Sequence, residues 1–174
     1  IDAASSYTSL SNGFTVDNLI NGGLVNALND GYEAYTVNNG LVVGDGLTSN
    51  QGNYMVDIYA KSNLNKKYDS FGSDTAVISA ANGTDGIINV VDFKIHGDVM
   101  GYDAPTDPVI KLNIFNGTLA DGQDIQFKST SKEIETPLGW YRLFGNKDGS
   151  YSFALTRYNP VSLRGQVATL AQYQ

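Results

Sequence analysis

The 174-residue chain carries 18 acidic against 11 basic side chains, a formal net charge of -7 and a pI near 4.4. Binding a polyphosphate requires a cationic footprint, so nucleic acid is not expected as a partner. The absence of cysteine removes disulfides and thiolate metal sites, and no apolar run approaches the roughly 18 to 20 residues of a spanning helix. The length suits one sizeable domain, and an abundance of Gly, Asn, Ser, Thr and Tyr with few charges points to an all-β, turn-rich chain.

From Ile1 to about Asn53, short apolar pieces alternate with Asn12-Gly13, Asn21-Gly22-Gly23, Asp30-Gly31, Asn39-Gly40 and Asp45-Gly46. The first four begin nine residues apart. A calcium-binding nonapeptide roll would need a Gly-Gly-x-Gly-x-Asp unit, which is missing, so these are expected to be tight turns between strands. The stretch from Val16 to Leu28 has some helical spacing, but Gly22-Gly23 in its middle favours strands. Gly52 to Ala60 reads as a strand with Tyr54, Val56 and Ile58 on one face and Met55, Asp57 and Tyr59 on the other. The basic segment Lys61 to Tyr68 reads as a solvated loop.

Thr75 to Ser79 and Gly86 to Ile95 are expected strands flanking a turn at Asn82 to Gly86. After a Gly-, Asp- and Pro-rich loop from Gly97 to Pro108, Val109 to Phe115 is expected to be one regular strand. Turns are expected at Asn116-Gly117 and near Asp121-Gly122, and Asp124 to Lys128 and Glu133 to Thr136 complete the set. Strands at such intervals suit either a sandwich or a solenoid.

The last third changes character twice. Gly139 to Phe144 and Ser150 to Thr156 are alternating, aromatic-rich runs around Gly145-Asn146-Lys147-Asp148-Gly149, a strong hairpin signal. Asn159-Pro160 then supplies an N-cap residue and a first-turn proline, and Leu163, Val167, Leu170 and Ala171 mark one apolar stripe of a helix. That pattern reaches Gln174 without a stop signal and the chain begins at Ile1 rather than Met, so a processed piece of a longer protein is expected. In a solenoid the hairpin is the natural cap, because Trp140, Tyr141, Leu143, Tyr151 and Phe153 can cover the last open rung.

The string Thr136-Pro137-Leu138-Gly139-Trp140-Tyr141, then Asp148-Gly149-Ser150-Tyr151, Tyr158-Asn159-Pro160 and Arg164-Gly165-Gln166-Val167-Ala168-Thr169, resembles the passenger-to-barrel junction of bacterial autotransporter-type (type V secreted) surface proteins. Asn89 to Phe115 also resembles the end of such passengers, and the similarity extends over roughly Asp74 to Gln174. The resemblance implies a right-handed parallel β-helix capped by a C-terminal β-hairpin and a short C-terminal helix; the strand spacing by itself leaves a β-sandwich as the alternative. Its implied divisions are a β-helical passenger segment at 1–132, an autochaperone-like capping hairpin at 133–158 and a linker helix at 159–174. Asn159, Pro160, Arg164 and Gly165 mark the linker, which would lead to a membrane β-barrel absent from this chain.

Chemistry is thinly represented. His96 is the only histidine, and a metal site would need Asp92 and Asp98 beside it, at even spacing along a strand. A histidine in a polar strand end is the favoured reading, so no metal and no cofactor are expected. No Gly-x-Ser-x-Gly elbow occurs. Glu133 and Glu135 could serve a carbohydrate-cleaving site, Asp103 and Asp107 flank a loop that could bind calcium or sugar, and Trp140, Tyr141 and Tyr151 could stack on sugar, but an exposed acidic face, a turn and a buried hairpin are favoured. Arg142, Arg157 and Arg164 are read as partners in surface ion pairs. The expected role is non-enzymatic: an extracellular or outer-surface passenger segment that folds after export and supports display or adhesion towards a ligand on a host or neighbouring cell. A carbohydrate-binding or carbohydrate-degrading module is the alternative, and a self-assembling filament subunit, associating through β edges, the second.

Overall fold

The computed structural model describes residues 1–8, 14–30, 34–44, 50–62, 69–73, 75–81, 85–101, 104–119 and 124–160. They form an all-β molecule of fourteen strands: β1 (Ser6–Thr8), β2 (Thr15–Asn21), β3 (Leu24–Asn26), β4 (Ala34–Val43), β5 (Gln51–Ser62), β6 (Asp69–Ser73), β7 (Thr75–Ala81), β8 (Gly86–His96), β9 (Val109–Leu112), β10 (Phe115–Leu119), β11 (Ile125–Ser129), β12 (Ile134–Glu135), β13 (Gly139–Gly145) and β14 (Tyr151–Tyr158). No helix among the described residues is long and apolar enough to cross a membrane.

Two of the three sheets are built on parallel pairs. One runs β1-β3-β5-β8-β11, with β6 antiparallel against β5, and the second runs β10-β7-β4-β2. The chain visits them in alternation: β2 then β3, β4 then β5, β7 then β8, β10 then β11. Each pass lays its strand beside the equivalent strand of the pass before, in parallel register. The third sheet, β12-β13-β14-β9, is antiparallel throughout.

Period-two alternation explains the core. Tyr54, Val56 and Ile58 are buried together, as expected from their shared face, and Val25, Ile88, Val90 and Phe93 bury beside them. Val37, Leu41 and Val43 of β4 contribute from the second sheet, and Leu143, Tyr151 and Phe153 from the third. Register brings Val25, Tyr54 and Val90 into one lateral row across three strands. Beside that row, Asn53 is level with Asn89, whose amide reaches Thr130 at 3.1 Å. Asn21, at the bend before β3, donates to the Asn53 carbonyl at 3.1 Å and accepts from the Gly23 N–H at 3.0 Å. Asn21 is tolerated inside because it bonds backbone on both sides, whereas Asn89 is held through its amide nitrogen, by Thr130 and Asn53, and leaves its Oδ1 buried without a partner.

Three local expectations are corrected. Val109 to Phe115 is not one strand: β9 pairs antiparallel with β14, whereas β10 pairs parallel with β7, so the two halves are drawn into different sheets at Asn113-Ile114. Asn39-Gly40 and Asn116-Gly117 are not turns but lie inside β4 and β10. Each sits near a register shift, between Val16 and Asn18 of β2 against β4 and between Gly117 and Leu119 of β10. The neighbouring strands impose extension, and the irregularity is absorbed as a bulge rather than a reversal. The other Gly-containing segments divide: Gly22-Gly23 is a bend as expected, while Asn12-Gly13, Asp45-Gly46 and Asp121-Gly122 lie outside the described residues, as do Arg164, Gly165 and the helix expected beyond Pro160.

Candidate functional site: a capping sheet and a histidine–aspartate cluster

The hairpin forms where its alternation predicts. Asn146 N–H donates to the Ser150 carbonyl at 2.9 Å, and Gly149 occupies the left-handed region at φ 89° that favours glycine. A Cβ built on Gly145 would overlap the Phe127 carbonyl, so this glycine permits β13 to close on β11. At the other end, Thr136 clasps the strand: its hydroxyl donates to the Gly139 carbonyl at 2.8 Å and accepts from the Gly139 N–H at 3.2 Å.

Of the five expected capping side chains, Tyr141, Leu143, Tyr151 and Phe153 are buried together. Trp140 points to the opposite face, half-buried beneath the Arg157 guanidinium at 4.5 Å from its ring centroid. That cation occupies a face a sugar ring would need. Inward, Tyr151 extends its hydroxyl to the Lys128 carbonyl at 3.0 Å and the Ile88 carbonyl at 3.2 Å, joining the hairpin to the backbone of β11 and β8. Phe153 meets Phe93 edge to face at 6.0 Å and stacks on Tyr141 at 5.0 Å. Phe115 links Tyr54, Phe127 and Tyr151, so the aromatic contacts run through all three sheets. The Tyr141 hydroxyl donates to the Asp107 carbonyl at 2.6 Å. Desolvation pushes the Tyr54 and Tyr141 phenols up to about 12, and Tyr151 higher still.

Composition alone did not reveal β9, nor Phe115 and Phe127, as partners of the cap; their distance along the chain hides the contact. The acidic residues near the cap are engaged: Glu133 pairs with Arg157 at 3.3 Å, and Glu135 accepts from the Asn159 side-chain amide at 3.3 Å. Asn159 also donates its backbone N–H to the Leu138 carbonyl, securing the start of the predicted linker to β13. A groove of ≈ 520 Å³ lies between β11 and residues 145–147.

His96 does not gather Asp92 and Asp98. Asp92 caps the Phe93 N–H and lies 3.8 Å from Lys132, while Asp98 accepts from the Met100 N–H. Instead, parallel pairing sets His96 beside Tyr59 and Lys94 beside Asp57, on the face opposite Val56 and Ile58. His96 Nε2 lies 2.6 Å from Asp57 Oδ1 and 3.9 Å from Asp30 Oδ1, and its ring stacks on Tyr59 at 4.9 Å. The Asp57 carboxylate is fully buried, and its Oδ2 accepts from the Asn29 N–H at 3.1 Å. Asp30, at φ 61°, pairs with Lys94 at 2.6 Å, which holds the Asp30 carboxyl below the usual carboxylate range. The spacing of residues 30, 57 and 96 carries no motif, which is why the cluster could not be read from the chain.

The chain matches no protein-family model, no curated protein and no solved structure.

Proposed function

We propose that the chain is a parallel β-solenoid segment closed by an antiparallel cap, and that its role is mechanical: a folded, surface-displayed body outside the cell whose cap nucleates folding. The observation that carries this reading is the alternation of successive strands between two parallel sheets, ending at a local hairpin whose buried aromatics reach both β8 and β11. Repeated passes of this kind are how a coil is built, and a coil needs an end that buries its last apolar layer. The similarity of Asp74 to Gln174 to autotransporter passenger ends supports display at a bacterial outer surface, with a following helix directed to a membrane β-barrel and a cell-surface ligand as partner.

Refolding kinetics test the nucleation role. Leu143→Ala, in the cap, should slow refolding by about 10- to 50-fold, as expected for a residue largely structured in the transition state. Val25→Ala, in β3, should act mainly by accelerating unfolding. An unchanged refolding rate in Leu143→Ala, at a measurable loss of stability, would refute nucleation by the cap.

A further inference from the structure

We propose that Asp30, Asp57 and His96 bind one divalent transition-metal ion of the zinc class on the outer face of the β5–β8 pair. An imidazole nitrogen and two carboxylate oxygens form the mixed donor set that suits zinc and its first-row neighbours. One ligand atom from each residue falls within 4.8 Å of the other two. An ion about 2.0 to 2.2 Å from each donor would hold tetrahedral ligands about 3.4 Å apart, so the tightest pair, at 2.6 Å, would open by about 0.8 Å and the widest, within 4.8 Å, would close by at most about 1.4 Å.

This is not a patch of surface acids. Asp57 has no exposed side-chain area and His96 only 20%, while Asp30, at 70%, stands at the mouth and supplies the route of entry. Among the described residues Asp57 is the only buried carboxylate. Burial of an anion demands a cation or a dense set of donors, and two carboxylates with a neutral imidazole balance one dication. The ligands are already oriented from behind: the Asn29 N–H fixes Asp57 Oδ2, and the Tyr59 ring lies 20° from the His96 plane. Lys94, on Asp30, is a monovalent stand-in that the ion would displace. Because the ligands come from the bend after β3, from β5 and from the end of β8, an ion would clamp three successive passes of the chain.

The test uses the full chain, freed of metal with a chelator and titrated with Zn²⁺ by calorimetry near neutral pH, with Co²⁺ absorption reporting coordination geometry. One ion per chain is expected, with a rise in the melting temperature and a change in the ¹⁵N shift of His96 Nε2. Asp30→Asn, at an exposed position that should not disturb folding, should weaken binding by at least about 10-fold, and His96→Gln should abolish it. Lys94→Met should tighten binding by removing the competitor. Absence of stoichiometric binding overturns the proposal, as does affinity indifferent to Asp30→Asn and Lys94→Met, so the outcome stands even if His96→Gln fails to fold.

Discussion

The two parallel sheets and the capping sheet solve the same burial problem in opposite ways. In the parallel sheets the neighbours are remote in sequence: Val25 lies beside Tyr54, and Tyr54 beside Val90. Apart from β6, which folds back antiparallel on β5, the described strands there gain their ladders only when another pass of the chain has returned, so loop-closure entropy is spent before contacts form. In the cap, Leu143 faces Phe153 across a short turn, and Asn146, Asp148 and Thr136 satisfy its polar groups locally. The hairpin can therefore pair from contacts local in sequence, whereas the stacked strands pair only with one another across long stretches of chain.

Removing the apolar face of the cap should give the largest effect. Phe153 is fully buried between Phe93 and Tyr141, so Phe153→Ala loses ring contacts to both the parallel body and the hairpin. A loss of about 3 to 5 kcal/mol is expected, read from the urea midpoint with an unchanged slope. A loss below about 1 kcal/mol would mean that the parallel sheets are stable without the cap.

The complementary break lies at the far end of the parallel stack. Asn21→Ala removes the acceptor of the buried Gly23 N–H and one donor to the half-buried Asn53 carbonyl. About 2 kcal/mol should be lost. Amide hydrogen exchange should accelerate around β1 and β3 and remain unchanged in β13 and β14. Loss of protection in both regions alike would show that the body and cap unfold as one unit.

The hairpin of the cap was legible in the chain because its signals are local, whereas β9, which completes that sheet, was not. Alternation places Tyr141, Leu143, Tyr151 and Phe153 on one face, and Gly149 marks the positive φ of the turn. The division of Val109 to Phe115 was not legible, since Ile110 and Phe115 carry the same strand propensity and only their different partners, Phe153 in β14 and Ala76 in β7, separate them. The same holds for Gly40 and Gly117, where flanking strands override turn chemistry. His96 was singled out as the sole histidine, but its surroundings depend on the register of β5 with β8 and on the path after β3. Asp57, placed by alternation on the face opposite Tyr54, Val56 and Ile58, is buried there with Asn29 and His96 bonded to its carboxylate.

The smallest expected effect tests how self-contained the hairpin is. Asp148 accepts from the Ser150 hydroxyl and the Ser150 N–H, and pairs with Lys111 of β9 at 3.1 Å. These contacts, the Ser150 hydroxyl foremost, hold its carboxyl at about 2, below its ordinary 3.8. A depressed folded-state value means the contribution is complete above the ordinary value and fades as pH falls through about 2, so it is lost between roughly pH 4 and pH 2. Because Asp148 is exposed, solvent screens its contribution and the effect on stability should be slight. Ser150→Ala should raise the Asp148 titration midpoint towards 3.8 in a carbon-detected NMR titration, while Lys111→Met should move it less. If Lys111→Met proved the larger perturbation, the turn would owe its order to β9 and the rest of the molecule rather than to its own sequence.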